Sequence, residues 1–150
     1  MIGEVLELLL VEDDDDHAEL VKRCFAENQV ANTMRRVKDG EEALSYLFRG
    51  GQYADAAKSP TPNLVLLDLR LPKVDGIDVL KAIKASERLR NIPVVVLTTS
   101  NSERDVALAY AGHANSYLVK PAGYQEFAEM IEALRRYWLV WNRNPLRHEG

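Results

Sequence analysis

Apolar runs of strand length alternate along this chain with longer segments of helical period. Val5 to Val11 reads as a strand, followed by a helix from about Asp14 to Asn28 whose Leu20, Val21, Cys24 and Phe25 share a face. Thr33 to Val37 is a weaker strand, and Glu41 to Arg49 a short helix behind Asp39-Gly40. Gly50 to Pro62 (GGQYADAAKSPTP) is a Gly/Pro-punctuated connection, long by loop standards. Asn63 to Asp68 and Pro93 to Thr98 are continuous apolar strands, as expected where both sheet faces are covered. Asp75 to Arg88 is amphipathic through Ile77, Val79, Leu80 and Ile83. Ser102 to Ala111 is a helix, Ser116 to Val119 a short strand, and a last helix runs from beyond Pro121 to about Trp141.

Five strand–helix pairs in strict alternation predict an α/β fold, a doubly wound five-stranded parallel sheet. In such sheets ligands sit beyond the carboxyl ends of the strands, near the point where strand order reverses. The first strand ends in Glu12-Asp13, the third in Asp68, the fourth in Thr98-Thr99 and the fifth in Lys120-Pro121. Each is unremarkable alone. Together they place three carboxylates, a hydroxyl and an amine on one rim.

Glu12 to Asp16 are five consecutive carboxylates, and like charges about 4 Å apart repel by roughly 4 kcal/mol at an effective dielectric of about 20. A hard cation would offset the repulsion among Glu12, Asp13 and Asp68, and an oxygen-only donor set suits Mg²⁺ where phosphate is handled. Asp14, Asp15 and Asp16 have another role: they occupy the cap and first turn of a helix, where carboxylates are favoured. His17 follows on that turn and reads as exposed surface.

Composition narrows the classes further. At 150 residues with a net charge of -4, one domain spanning 1–150 is expected, and no non-specific nucleic-acid surface. No apolar stretch approaches the roughly 20 residues of a membrane span, and no signal peptide opens the chain, so a cytoplasmic location is expected. Cys24 is the sole cysteine, which excludes an intrachain disulfide; it reads as a small buried residue.

The motifs LLVED, LVLLDLRLPKVDG, PVVVLTTS and YLVKP, in that order, make the chain resemble the receiver domain of two-component response regulators over about Leu6 to Leu134. The resemblance implies the flavodoxin-like strand order 2-1-3-4-5 and a phosphoacceptor role for Asp68. It implies that Asp13, Asp68 and the backbone carbonyl of Arg70 ligate Mg²⁺, with Glu12 helping through water. Thr98 becomes the switch hydroxyl, Lys120 the partner of the phosphoryl charge, and Tyr117 the aromatic that rotates inward. Pro121 implies a cis Lys-Pro bond. The phosphodonor would be a histidine kinase, and the protein a phosphoacceptor rather than an enzyme in its own right. Glu12 stands where many relatives have Asp, Thr99 where a smaller residue is frequent, and Ala122-Gly123 where an aromatic is common. Arg70 and Ser100 occupy positions that tune hydrolysis.

No DNA-binding module has room to follow, so output is expected through protein contacts, with an extended helix and tail at about 122–150. Phe127, Met130, Ile131, Leu134 and Trp138 form a helical stripe; Tyr137, Leu139, Val140 and Trp141 add apolar surface beside it. A homodimer through Tyr137, Trp138 and Trp141 is the simplest closed use of that surface. The long connection, PVVVLTTS and RRYWLVWNRNPL are similar to the stand-alone regulators of bacterial phytochromes, implying a bacteriophytochrome kinase as partner. A haloacid dehalogenase-type hydrolase would want a second Asp at the position of Arg70. A flavin-binding fold would want a phosphate loop in place of EDDDD. A phosphorylation-independent interaction module is the remaining alternative.

Overall fold

The computed structural model describes residues 6–27 and 32–143. The expected strand start at Val5, the helix end at Asn28 and the tail beyond Arg143 lie outside the described residues. The elements run β1 (Leu6–Val11), α1 (Asp15–Ala26), β2 (Asn32–Val37), α2 (Gly40–Leu47), β3 (Leu64–Leu67), α3 (Gly76–Ala85), β4 (Val94–Thr98), α4 (Glu103–Ala111), β5 (Ser116–Val119) and α5 (Tyr124–Arg136). All strand pairs are parallel, in the order β2-β1-β3-β4-β5. The doubly wound, flavodoxin-like receiver sheet expected from the sequence is therefore present.

Strand periodicity divides the core. Leu9, Val11, Val65, Leu67, Val94 and Val96 point to a layer built with α2, α3 and α4, including Leu80 and Ile83. Leu8, Leu10, Leu64, Leu66, Val95 and Leu97 point the other way, onto Val21 and Phe25 of α1 and Phe127 and Ile131 of α5. Helices begin where the sequence supplies caps. Asp14 accepts from the N–H groups of Asp16 and His17, Asp39 from Glu42, and Ser102 from Asp105. The connection from Gly50 to Pro62 is ordered by its own contacts: a short 3₁₀ turn at Gly51–Tyr53, Tyr53 donating to Glu42 at 2.8 Å, and Tyr46 to the Pro60 carbonyl at 3.1 Å.

Two expectations need correction here. No cis peptide bond occurs among the described residues, so Lys120-Pro121 is trans, the form an X-Pro bond intrinsically favours. The second concerns Leu139: helical structure does reach Trp141 as expected, but its end, Tyr137–Trp141, is a π turn in which Asn142 N–H reaches the Tyr137 carbonyl at 2.8 Å. The wider turn rotates Leu139 into the core, away from the outer surface assigned to it, while Tyr137, Val140 and Trp141 stay exposed.

Candidate functional site

Strand order reverses at β1, with β2 on one side and β3 on the other, and the carboxyl ends of β1 and β3 therefore open a crevice. Glu12-Asp13 follow β1 directly and Asp68 follows β3. The backbone pins both: Asp68 N–H donates to the Val11 carbonyl at 3.0 Å, and Glu12 N–H to the Val37 carbonyl at 3.1 Å. Arg36 on β2 holds the Glu12 carbonyl through Nε at 2.9 Å and pairs with Asp15 at 2.8 Å. Gly76 lets the loop after β3 fold back over Asp68, since a Cβ there would sit 2.3 Å from the Asp68 carbonyl oxygen and 2.5 Å from the Leu69 Cα.

The side chains then converge. Lys120 Nζ lies 2.5 Å from Glu12 Oε1 and 3.0 Å from Asp68 Oδ2, with Glu12, Asp68 and Lys120 all buried. Glu12 Oε2 accepts from Asp14 N–H at 3.2 Å, and Asp68 Oδ1 from Arg70 N–H at 3.2 Å. Burial pushes the Glu12 carboxyl up to about 7, with Lys120 pulling it down and Asp68 adding to the rise. Oxygen atoms of Glu12, Asp13 and Asp68 all lie within 4.8 Å of one another, and Asp13 is exposed to solvent.

Three carboxylates against one ammonium leave two negative charges when all are ionised, the deficit a divalent cation neutralises. The donors are oxygens only, which suits a hard cation. The residues present thus fit a divalent metal.

Thr98 is fully buried at the end of β4. Its carbonyl accepts from Lys120 N–H at 2.7 Å and its hydroxyl oxygen from Ser100 N–H at 3.4 Å. Tyr117 on β5 packs partly against the core and donates its hydroxyl to the Ser100 carbonyl at 2.9 Å; burial raises its phenol above the usual range. Glu12, Asp13, Asp68, Arg70, Thr98, Lys120 and Tyr117 are therefore gathered at one end of the sheet. Tyr137, Trp138 and Trp141 lie apart, beyond the C-terminal end of α5, where Tyr137 and Trp138 line a groove with Leu118, Met130 and Leu134.

His17 is not the bare surface residue its position suggests. It is half-buried, its ring stands edge-on to Phe127 of α5 at 5.3 Å, and its Nδ1 lies 3.0 Å from Lys120 Nζ. The other unanticipated contributor is Asp105 on α4, buried and shared by the Arg70 guanidinium and the Ser100 hydroxyl. Both act across elements distant in sequence; only the nearness of His17 to Glu12-Asp13 could have hinted at its place.

Residues 8–132 match the model of the response regulator receiver domain. The probable methanogenesis regulatory protein FilR2 of Methanothrix harundinacea is 47% identical over 149 residues, spanning 95% of this chain and 94% of that protein. Response regulator Rcp1 of Synechocystis sp. is 40% identical over 132 residues, 88% of each chain. The crystal structure of the Mn(2+)-bound form of Rcp1 superposes with a TM-score of 0.89 at 38% identity, covering 96% of this chain and 100% of that one. The phosphorylated cyanobacterial phytochrome response regulator RcpA gives the same TM-score and identity, covering 94% of this chain and 99% of its own.

Proposed function

Because this chain belongs to the response regulator receiver domain family, we propose that Asp68 accepts a phosphoryl group from a histidine kinase and that output passes through protein contacts. The observation that carries the reading is the Asp68 carboxylate held at the switch point of the sheet, one oxygen on the Lys120 ammonium and the other on the Arg70 N–H.

An Asp68 carboxylate oxygen attacks the phosphorus of the phosphohistidine donor. The new P–O bond forms as the P–N bond breaks, and the leaving imidazole nitrogen keeps the electron pair and takes up a proton. Lys120 and the Thr98 hydroxyl donate to the phosphoryl oxygens as charge develops on them. Glu12, Asp13, Asp68 and the Arg70 carbonyl are the groups that would hold Mg²⁺, which when bound supplies the positive charge that lets a phosphoryl group approach this acidic rim. Afterwards the acyl phosphate carries roughly -1.5 to -2 charges where the carboxylate carried one. Thr98 then turns toward it, breaking its contact with Ser100, and Tyr117 gives up the Ser100 carbonyl and follows.

The phosphodonor we favour is a bacteriophytochrome kinase, a reading supported by the likeness to Rcp1 and RcpA. The 47% identity to FilR2 favours a second reading, a kinase with an input other than light. Phosphotransfer from each purified kinase type separates the two: the cognate donor is the one that transfers within seconds. We further assign the protein to the cytoplasm, consistent with the absence of any helix long and apolar enough to cross a membrane among the described residues. Tyr137 and Trp141, 53% and 75% exposed, form with Trp138 the surface of a homodimer in this reading. Substituting Tyr137 and Trp141 by Ser should lower the mass in solution to that of one chain; an unchanged mass removes the dimer surface.

Incubation with acetyl phosphate, with and without Mg²⁺, followed by intact mass tests the central step. One phosphoryl adduct that requires Mg²⁺ and is lost in Asp68→Asn is expected. An adduct that persists in Asp68→Asn, or none under any donor, overturns the assignment and leaves an interaction module.

A further inference from the structure

We propose that His17 is a positioning residue of this site, its imidazole Nδ1 accepting a hydrogen bond that fixes where the Lys120 ammonium points. The inference rests on the phosphoacceptor reading of Asp68 given above.

The geometry is that of a saturated ammonium. A lysine Nζ carries three N–H donors and no acceptor. Lys120 Nζ has three polar neighbours in reach: Glu12 Oε1 at 2.5 Å, Asp68 Oδ2 at 3.0 Å and His17 Nδ1 at 3.0 Å. The first two are groups of the acidic rim. The third has no part in phosphoryl chemistry, yet it uses the one remaining donor. Because lysine cannot accept, the contact is a hydrogen bond only with His17 Nδ1 unprotonated, the Nε2–H tautomer; Asp14 Oδ2, 3.8 Å from the same nitrogen, is what a proton on Nδ1 would face instead.

His17 is itself fixed from two sides. Its backbone N–H donates to the Asp14 cap at 3.1 Å, which locks it to the first turn of α1. Its ring meets the Phe127 ring edge-on, 5.3 Å between centroids and 89° between planes, which ties it to α5. A long, flexible lysine stem from the end of β5 is thereby referenced to α1 and α5 as well as to the acids. During transfer Lys120 must redirect one N–H toward a phosphoryl oxygen. With His17 holding a second donor, the ammonium can turn about that contact without leaving the rim. A misplacement of this kind is what costs rate in sites that work by positioning.

Two substitutions separate the acceptor from the ring. His17→Asn puts an amide oxygen where Nδ1 stands, since both are bonded to Cγ, but removes the ring. His17→Phe keeps a ring against Phe127 and removes the acceptor. Phosphorylation rates at saturating Mg²⁺ and varied acetyl phosphate are then compared. We expect the maximal rate of His17→Phe to fall about 10-fold, the loss of one charge-assisted hydrogen bond, with His17→Asn within about 2-fold of the parent. Loss in His17→Asn with retention in His17→Phe makes the ring, not the acceptor, the working part and overturns the proposal. Equal loss in both, or none in either, overturns it too.

The parent protein supplies an independent readout. Long-range ¹H–¹⁵N spectra at neutral pH should show His17 as the Nε2–H tautomer; a proton on Nδ1 refutes the contact. If the parent takes up no phosphoryl group at all, the functional reading fails, while the tautomer still decides whether His17 and Lys120 are paired.

Discussion

Arg70, two residues beyond Asp68, reaches across to Asp105 on α4, and the same Asp105 oxygen accepts from the Ser100 hydroxyl at 2.5 Å. Ser100 in turn touches both Thr98 and Tyr117, through its N–H to the Thr98 hydroxyl and its carbonyl to the Tyr117 hydroxyl. One buried carboxylate thus ties the loop after β3 to the loop after β4. That tie holds the two loops in the arrangement seen here.

Removing it with Asp105→Ala should make the loops easier to rearrange. Arg70 is 62% exposed, so solvent screens the ion pair to about 0.5–1 kcal/mol, and the Ser100 hydroxyl bond to the same buried carboxylate adds about 1 kcal/mol to the stability lost. The ion pair's share, acting on the loop equilibrium, would speed phosphorylation by acetyl phosphate roughly 2- to 5-fold. Stopped-flow rates with a parallel melting curve check both. A slower reaction would mean that the tie prepares the site instead of restraining it.

Gly76 tests how tightly the loop after β3 is built. An added methyl would meet backbone atoms of Asp68 and Leu69, which cannot swing aside as a flexible side chain could. Gly76→Ala should cost about 1–3 kcal/mol and displace Asp68, lowering the melting temperature and the phosphorylation rate together. Gly50→Ala, whose Cβ meets nothing nearer than 3.9 Å, is the control expected to change neither.

The contrast between these contacts and the strand-end acids explains what was legible in the sequence. Leu64 to Leu67 and Val94 to Val96 declare buried parallel strands by their unbroken apolar runs, and the acids and lysine at strand ends follow once alternation fixes the sheet. Asp14, Asp39 and Ser102 declare helix starts because capping is local. His17, Asp105 and Arg36 carry no such mark: each matters through a partner 103, 35 or 24 positions away, a pairing that only the folded chain creates. Leu139 faces the core for a related reason, since its direction depends on one extra residue in a turn whose hydrogen bond runs from Asn142 to Tyr137.

Cys24 should behave as a quiet thiol. It is partly buried between α1 and α5, and desolvation, followed by the charges of Glu132 and Glu27, raises its pKa above the usual thiol range. The thiolate is the reactive form, so alkylation by iodoacetamide at pH 7.5 should be slower than for a small peptide thiol. The rate should still be climbing at pH 9, because the folded protein keeps the proton to higher pH. A plateau below pH 9 would contradict the burial assigned to it.

Lys120 carries the largest expected effect. Its side chain is 2% exposed, against 1% for Glu12 and 9% for Asp68, so Lys120→Met strands two carboxylates away from water without a counter-charge. Breaking a buried pair in this way costs about 3–5 kcal/mol, and the metal-free variant should melt well below the parent. Above the pH at which Glu12, no longer held down by Lys120, gives up its proton, the same removal leaves Glu12, Asp13 and Asp68 three charges short of neutral instead of two. Mg²⁺ should therefore bind the variant more tightly and raise its melting temperature by more than it raises the parent's, while phosphoryl uptake is lost. Calorimetric titration and melting curves with and without Mg²⁺ measure this directly. Weaker Mg²⁺ binding in Lys120→Met would mean that the ammonium organises the acids for the cation instead of competing with it for their charge.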